Sequence, residues 1–205
     1  MPPASVSRRR VLMAAAALLG AGCSQPAPVK STFLLEPARA VPAAAGTRRA
    51  TLKVDPVSVA GPFRGRSLVY RESELKYEAD FYNEFLIAPG AMIGEKIASW
   101  LAEAGLYQAV LPPDGAFDAD QHLEAFVSEL YGDFRDPAHP AAVVTIKFFL
   151  TDAKAAEGAF AWTAELRGRR DIPSRSAEAL VAGLNAAFGD VLQQLATALG
   201  ALPTR

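Results

Sequence analysis

The chain has 205 residues, of which 51% are hydrophobic, and it carries a formal net charge of −1. This length suits one domain with a sizeable core. The charge balance is not that of a nucleic-acid-binding protein, which needs a basic face. The sequence contains one cysteine, Cys23, and two histidines, His122 and His139. An internal disulfide is therefore excluded, a metal site has few candidate ligands, and we expect no cofactor.

The first 22 residues have the order of a secretory signal, with arginines at 8–10, an apolar run and then small residues. The apolar run from residue 11 to residue 22 is shorter than the roughly 20 residues that a membrane span needs. The small residues end on Cys23, an arrangement that resembles a bacterial lipobox. The resemblance implies that the Cys23 thiol is acylated and becomes the new N-terminus. The alternative is a soluble periplasmic protein cleaved near Ala21 or Gly22.

The residues after Cys23 divide into a tether and a body. Residues 23–30 are small and polar and contain proline, which is typical of a linker. Ser24 stands where lipoproteins retained in the inner membrane carry Asp, so the resemblance implies the outer membrane. Residues 31–205 form the predicted domain, and without residues 1–22 the chain has a net charge of −4.

Short apolar runs and runs of alternating apolar and polar residues predict strands. Pro56 interrupts one of these strands, and over 122–131 a helix is not excluded. The predicted strands are 32–35, 51–59, 67–72, 75–82, 107–111, 122–131, 142–150 and 160–166. Apolar residues at helical spacing predict helices over 91–104, with Gly105 as the stop, and over 176–199.

Two pairs of strands read as hairpins. The first turns about Ser73, and in its second strand Leu75, Tyr77, Ala79 and Phe81 alternate with charged residues, which predicts one buried face. The second joins 142–150 to 160–166 through a long loop. The predicted fold class is α/β, with α+β as the alternative. We expect a single domain with a mixed, largely antiparallel sheet of six or seven strands packed by two main helices.

The sequence contains neither a nucleophile elbow nor a phosphate-binding loop. The acids of the first hairpin fit a solvated strand face better than a catalytic pair. Arg167, Arg169 and Arg170 form either a solvated strand end or a contact for an acidic partner or lipid head groups. The residues therefore favour a tethered binding or assembly domain rather than an enzyme.

The stretch from Val54 to Pro89 carries a family resemblance. Together with the lipobox, it resembles the ABC-type transport auxiliary lipoproteins (PqiC/YmbA-like), and the order of the later elements agrees. The chain departs from the family pattern at Phe85-Leu86, where members often have Trp-Ala. The matching positions are Phe33-Leu34-Leu35, Arg66, Val69-Tyr70-Arg71, Tyr82, Pro89 and Gly105-Leu106-Tyr107.

The resemblance implies a non-enzymatic lipoprotein on the periplasmic face of the outer membrane. It would dock to an MCE-domain protein and work with an ABC permease and its ATPase in (phospho)lipid transport. The resemblance is also compatible with a homo-oligomer. The implied partner-binding residues are Arg66, Tyr70, Arg71, Tyr82 and Phe85. A stand-alone lipid-binding or envelope-stress lipoprotein is the main alternative, which a pocket between helix and sheet would favour. A periplasmic hydrolase would need a buried acid or a Ser-His pair.

Overall fold

A computed structural model describes residues 29–38, 50–155 and 159–203. The predicted signal peptide, Cys23 and most of the tether lie outside these residues. The described part contains nine strands, one 3-10 turn and two helices. They are β1 (Ser31–Phe33), β2 (Thr51–Val54), β3 (Ser58–Val59), the turn Gly61–Phe63, β4 (Ser67–Arg71), β5 (Tyr77–Phe85), α1 (Pro89–Ala104), β6 (Ala109–Leu111), β7 (Gln121–Asp133), β8 (Ala141–Asp152), β9 (Trp162–Asp171) and α2 (Ala177–Ala201).

All nine described strands belong to one sheet that is organised around β7. Along one edge of β7, the short strands β2, β3 and β4 follow one another in parallel pairing. Pro56 and the 3-10 turn interrupt the chain between them, because proline cannot donate to a ladder. The other edge of β7 pairs with β8 in a long antiparallel ladder, and β8 pairs with β9. Beyond β4 lie β5 and β1, and beyond β2 lies β6.

Both helices pack on one face of the sheet and contact each other. Leu150, Phe148, Ile146 and Val144 of β8 point toward them and are fully buried. The helix α2 begins at Ser176, whose hydroxyl accepts from the N–H of Ala179 at 3.2 Å. The helix α1 ends at Gly105, where φ is +67°, a conformation that glycine adopts at little cost. No helix of the described part is long and apolar enough to span a bilayer.

Two glycines allow α2 to lie close to the sheet. A Cβ at Gly168 of β9 would stand 2.0 Å from the carbonyl oxygen of Ala187. A Cβ at Gly183 of α2 would stand 2.3 Å from Ile172 and 2.8 Å from the Cβ of Ala142. Gly183 weakens the helix intrinsically, as its sequence suggests. The structure shows why the residue is there, since no side chain fits between helix and sheet.

The segment that follows β1 fastens the start of the body to both helices. Leu35 is fully buried, and its N–H lies 3.1 Å from the sulfur of Met92 in α1. The next N–H, of Glu36, donates to the side-chain oxygen of Asn185 in α2 at 2.6 Å, and the Glu36 carboxylate pairs with Lys96. The N-terminal end of the domain is therefore held by the core.

The predicted fold class is confirmed: one mixed sheet packed by two main helices. The sheet has nine described strands rather than six or seven, because the 51–59 segment splits at Pro56 and the short strands all join. The three antiparallel pairs are the longest ladders, and the five parallel pairs are short. The segment 122–131 is a strand, and the hairpin of 142–150 with 160–166 forms as predicted.

Candidate functional site: an aromatic bulge and an apolar rim

The ladder between β4 and β5 contains a large bulge. Val69 pairs with Ala79, but two residues earlier on β4 Ser67 pairs with Glu84. Between these pairs β5 therefore holds three more residues than β4. Residues 80–83, which we name the aromatic bulge, are displaced from the regular ladder. Bulges of this kind re-aim side chains and are common next to functional sites.

The carboxylate of Asp80 holds the bulge in shape. It accepts the backbone N–H groups of Tyr82 at 2.8 Å and Asn83 at 3.0 Å, and the Asn83 side-chain amide at 2.9 Å. The hydroxyl of Tyr70 in β4 donates to the same carboxylate. Burial opposes the charge of Asp80, but these hydrogen bonds outweigh it and keep its pKa below the ordinary value.

Tyr70 acts as a fixed donor from inside the sheet. Its ring stacks on Phe134 with centroids 5.2 Å apart. Burial, and then the hydrogen bond to Asp80, raise the pKa of Tyr70 far above its ordinary value, so the hydroxyl keeps its proton. Tyr70 therefore positions the bulge rather than meeting solvent.

The bulge presents two aromatic rings to solvent. Phe81 is 71% exposed and Tyr82 is 46% exposed, and their rings meet edge to face at 5.1 Å. The ammonium of Lys30, just before β1, lies 5.2 Å from the centre of the Phe81 ring. This is a cation–π contact between the end of the tether and the bulge.

The predicted burial of Leu75, Tyr77, Ala79 and Phe81 is wrong. Leu75 is 95% exposed in the turn, and the side chains at 77, 79 and 81 are also exposed. The alternation in the sequence is strict, but it marks a buried face only where that face lies on the core. Tyr77 stands opposite Arg71 in the ladder, on the face of the sheet that the helices do not cover, and the bulge displaces Phe81.

A second exposed apolar surface lies where β1 and β5 end. The strands run parallel, and the N–H of Leu86 donates to the carbonyl of Phe33 at 2.8 Å. Three exposed side chains, Leu34, Leu86 and Ile87, follow the strands and form what we name the apolar rim. Arg66 borders the rim, and its carbonyl accepts from the N–H of Phe85 at 2.7 Å.

Three of the five predicted partner-binding residues, Arg66, Tyr70 and Tyr82, lie in or next to the β4–β5 hairpin. Arg66 pairs with Glu84, which also binds Lys30 at 3.3 Å. Tyr70 is linked to Tyr82 through the carboxylate of Asp80. Phe85 is only 2% exposed and packs in the core, so the prediction that it faces a partner is wrong. It directly precedes the exposed Leu86, which the sequence reasoning did not select. An apolar residue following a strand gives no sequence signal of exposure.

Arg71 belongs to a different cluster, on the face of the sheet opposite the helices. It lies 5.4 Å from the ring of Tyr77, 3.4 Å from the hydroxyl of Tyr131 and 3.1 Å from the carboxylate of Glu74. The ring of Phe63 stacks on Tyr131 at 5.7 Å. Arg71 is thus engaged within the protein.

Asp133 is the buried acid of this face, with a side chain only 6% exposed. Arg135 donates to its carboxylate at 2.9 and 3.0 Å, and Arg169 donates at 2.7 Å. The hydrogen bonds from Arg135 outweigh the effect of burial and, with Arg169, hold the pKa of Asp133 far below its ordinary range. A general acid needs a raised pKa, so Asp133 does not have the property of a general acid.

The arginines of β9 also have partners. Arg167 lies 3.7 Å from Glu129, and Arg170 lies 2.5 Å from Asp190 of α2. The basic patch at this strand end therefore consists of intramolecular ion pairs. Within the part of the chain that the structure describes, no three His, Cys, Asp or Glu side chains come together as metal ligands.

Three depressions are lined by described residues. One of about 610 Å³ lies where β2 and β7 begin, between small and charged side chains that include Asp120 and Lys154. One of about 350 Å³ lies around Asp133 and His139. The third, of about 300 Å³, lies beside the end of α2 and includes Leu150, Phe160 and Leu202. Lipid pockets are mostly apolar, and only the third has large apolar side chains in its wall.

A family model described as the ABC-type transport auxiliary lipoprotein component matches residues 33–196. Protein XCC0632 from Xanthomonas campestris has the same fold, with a TM-score of 0.66 at 16% identity, covering 82% of this chain and 90% of that one. An uncharacterized protein of known structure also gives a TM-score of 0.66 at 16% identity, covering 83% and 99% of the two chains. No curated protein matches the sequence.

Proposed function

Because the chain belongs to the family of ABC-type transport auxiliary lipoproteins, we propose that it docks to an MCE-domain protein at the periplasmic face of the outer membrane. In this role it is a non-enzymatic part of an intermembrane (phospho)lipid transport system. The chain has no phosphate-binding loop motif. The energy for transport comes from the ATPase that works with the permease.

The observation that carries the proposal is the apolar rim. Leu34, Leu86 and Ile87 are exposed together on a body whose helix-facing side chains are fully buried. Exposed apolar clusters that are bordered by polar groups mark interaction sites. Arg66 and Glu84 supply such a border, and Arg is enriched at protein interfaces. Residues 33–36 fix the rim to the core, so it is a rigid docking surface.

The proposal places the membrane anchor at Cys23. Two acyl groups hold a protein stably on a bilayer, whereas one chain gives only marginal binding. Cells labelled with palmitate should yield a labelled wild-type protein. The Cys23→Ser variant should be unlabelled and should leave the membrane fraction. A Cys23→Ser protein that still carried label would refute this site of acylation.

The partner is tested by affinity purification of the full-length protein from solubilised membranes, followed by mass spectrometry. We expect an MCE-domain protein among the proteins that are enriched. The Leu86→Arg variant should lose it, because a guanidinium would have to be buried in the interface. The matched control is Phe117→Arg, which changes a more exposed apolar residue in the loop before β7. Purification without any MCE-domain protein would contradict the proposal.

The alternative, a stand-alone lipid-binding lipoprotein, has one observation in its favour. The depression of about 300 Å³ beside α2 has three large apolar side chains in its wall. Lipid extracted in a fixed ratio from the purified protein, and lost in a Leu202→Glu variant, would favour this role over docking.

A further inference from the structure

The aromatic bulge lies where the tether enters the domain. Because β1 runs parallel to β5 from Ser31 opposite Asn83, the chain that precedes β1 arrives beside Phe81 and Tyr82. The contact of Lys30 with the Phe81 ring marks this entry. Val29, one residue earlier, is also largely exposed. Exposed apolar side chains are thus concentrated at the point nearest to the N-terminal anchor.

The length of the tether limits how far the bulge can be from the membrane. Val29 is six residues from Cys23. At about 3.3–3.6 Å per residue, a fully extended tether spans at most about 22 Å. A lipid attached at Cys23 therefore keeps Val29 within about 22 Å of the headgroups at all times, and the bulge lies beside the next residue, Lys30. Any weak affinity of the bulge for lipid then acts at a high effective concentration.

The size of the bulge suits a contact that orients a protein rather than one that holds it. Taking about 200 Å² for each side chain, Phe81 and Tyr82 together expose on the order of 250 Å². A stable protein interface buries about 800 Å² on each side, so the bulge, like the apolar rim, can form only part of such an interface. Beside an acyl anchor the bulge needs only to orient a protein that is already bound.

The chemistry of the bulge also fits a membrane interface. Tyr82 offers an apolar ring with a polar tip, a combination that is typical of side chains at the headgroup level. Lys30 can keep its ammonium at the headgroups while its stem lies on apolar surface. Asp80 and Tyr70 fix the backbone that carries the two rings, so little backbone freedom is lost when the rings insert.

We infer that Phe81 and Tyr82 insert at the headgroup boundary of the leaflet to which the protein is anchored, and so fix the orientation of the domain. The inference rests on the proposed acylation of Cys23. The bulge contacts lipid, while the rim formed by Leu34, Leu86 and Ile87 remains available to the protein partner.

The test uses the acylated full-length protein in vesicles of phosphatidylethanolamine and phosphatidylglycerol with brominated acyl chains. Phe81→Trp places a fluorescent probe in the bulge. The matched control is Phe117→Trp, since Phe117 is 75% exposed and lies near the Gln121 end of β7. About 35 Å of strand separates that end from Gly132, where β4 meets β7. The emission of the parent protein is subtracted in both cases.

We expect the probe at 81 to shift to shorter wavelength and to lose several-fold more emission to the bromines than the probe at 117. Equal and weak quenching of the two probes in vesicle-bound, acylated protein would overturn the inference. A blue shift of the probe at 81 that occurs only when the MCE-domain protein is added would assign the bulge to that partner. A blue shift that occurs without lipid at higher protein concentration would assign the bulge to a second copy of the chain. Protein that lacks the acyl mass and fails to float with vesicles would overturn the proposed anchor itself, and this inference with it.

Discussion

Asp133 shows how a single buried charge can be stabilised on the uncovered face of a sheet. Its carboxylate is removed from water, yet Arg135 and Arg169 donate three hydrogen bonds to it. Hydrogen bonds to charged groups each contribute more than neutral ones. The residue therefore stabilises the folded chain through its ionised form.

Replacing Asp133 with Asn should lower the free energy of unfolding by about 2 kcal/mol at neutral pH, because the charge-assisted hydrogen bonds are lost. The pKa of Asp133 in the folded state lies below its ordinary value of 3.8. Its contribution is therefore complete above pH of about 4 and is lost as the pH falls toward the folded-state pKa. Urea unfolding of both proteins at several pH values measures this, and the difference should shrink below pH of about 4. A difference that grew in acid would contradict the assignment.

Tyr70 and Tyr82 provide a matched pair at the bulge. Tyr70→Phe removes one of the donors to the half-buried carboxylate of Asp80 and should destabilise the protein by about 1–2 kcal/mol. Tyr82→Phe removes a hydroxyl at the surface and should change stability by less than about 0.5 kcal/mol. Urea unfolding compares the two. Equal effects would mean that the hydroxyl of Tyr70 does not hold the bulge.

At the scale of the elements, two of the glycines of α2, Gly183 and Gly189, have opposite roles. Gly183→Ala should destabilise the protein by about 1–3 kcal/mol, since its Cβ would overlap Ile172 and Ala142. Gly189 has only ordinary contacts at 3.7 Å, so Gly189→Ala should stabilise the protein by about 0.5–1 kcal/mol through helix propensity. Thermal unfolding of the two variants measures both effects. A shift of the same sign for both would contradict the close approach of α2 to the sheet.

Elements that bury one regular face could be predicted from the spacing of their own apolar residues. The stripe from Leu180 to Leu199 gives α2, and the alternation in 142–150 gives β8, because each buries one face over its whole length. β5 could not be predicted in detail, since Phe81 continues the alternation of Leu75 and Tyr77 in sequence. Its bulge depends on the pairing with β4 and on Asp80, neither of which a pattern of apolar residues contains.

The candidate site was predictable only in part, for a related reason. Arg66, Tyr70 and Tyr82 are predicted from the family resemblance, and the structure links Tyr70 to Tyr82 through Asp80. The exposure of Leu86 and the burial of Phe85 depend on where β1 ends, and this is a tertiary property. An apolar residue can lie in a core or on a docking surface, and only its neighbours decide.

At the scale of the whole molecule, we propose separate tasks for the aromatic bulge and the apolar rim. The bulge is next to the tether, and the rim lies further along the same two strands. Glu84, with Arg66 and Lys30, lies between them. One pair of strands therefore links the proposed membrane contact to the proposed partner contact, and the core holds both in a fixed relation. This arrangement suits a component that orients a transport assembly at a bilayer.

The most direct test of this account is site-specific photo-cross-linking in intact cells. A benzoylphenylalanine at position 86 should cross-link the full-length, acylated protein to an MCE-domain protein, whereas the same probe at position 117 should not. Mass spectrometry of the cross-linked band identifies the partner. A probe at 86 that captured only solvent or lipid, in a protein that remains folded and membrane-bound, would contradict docking through the apolar rim.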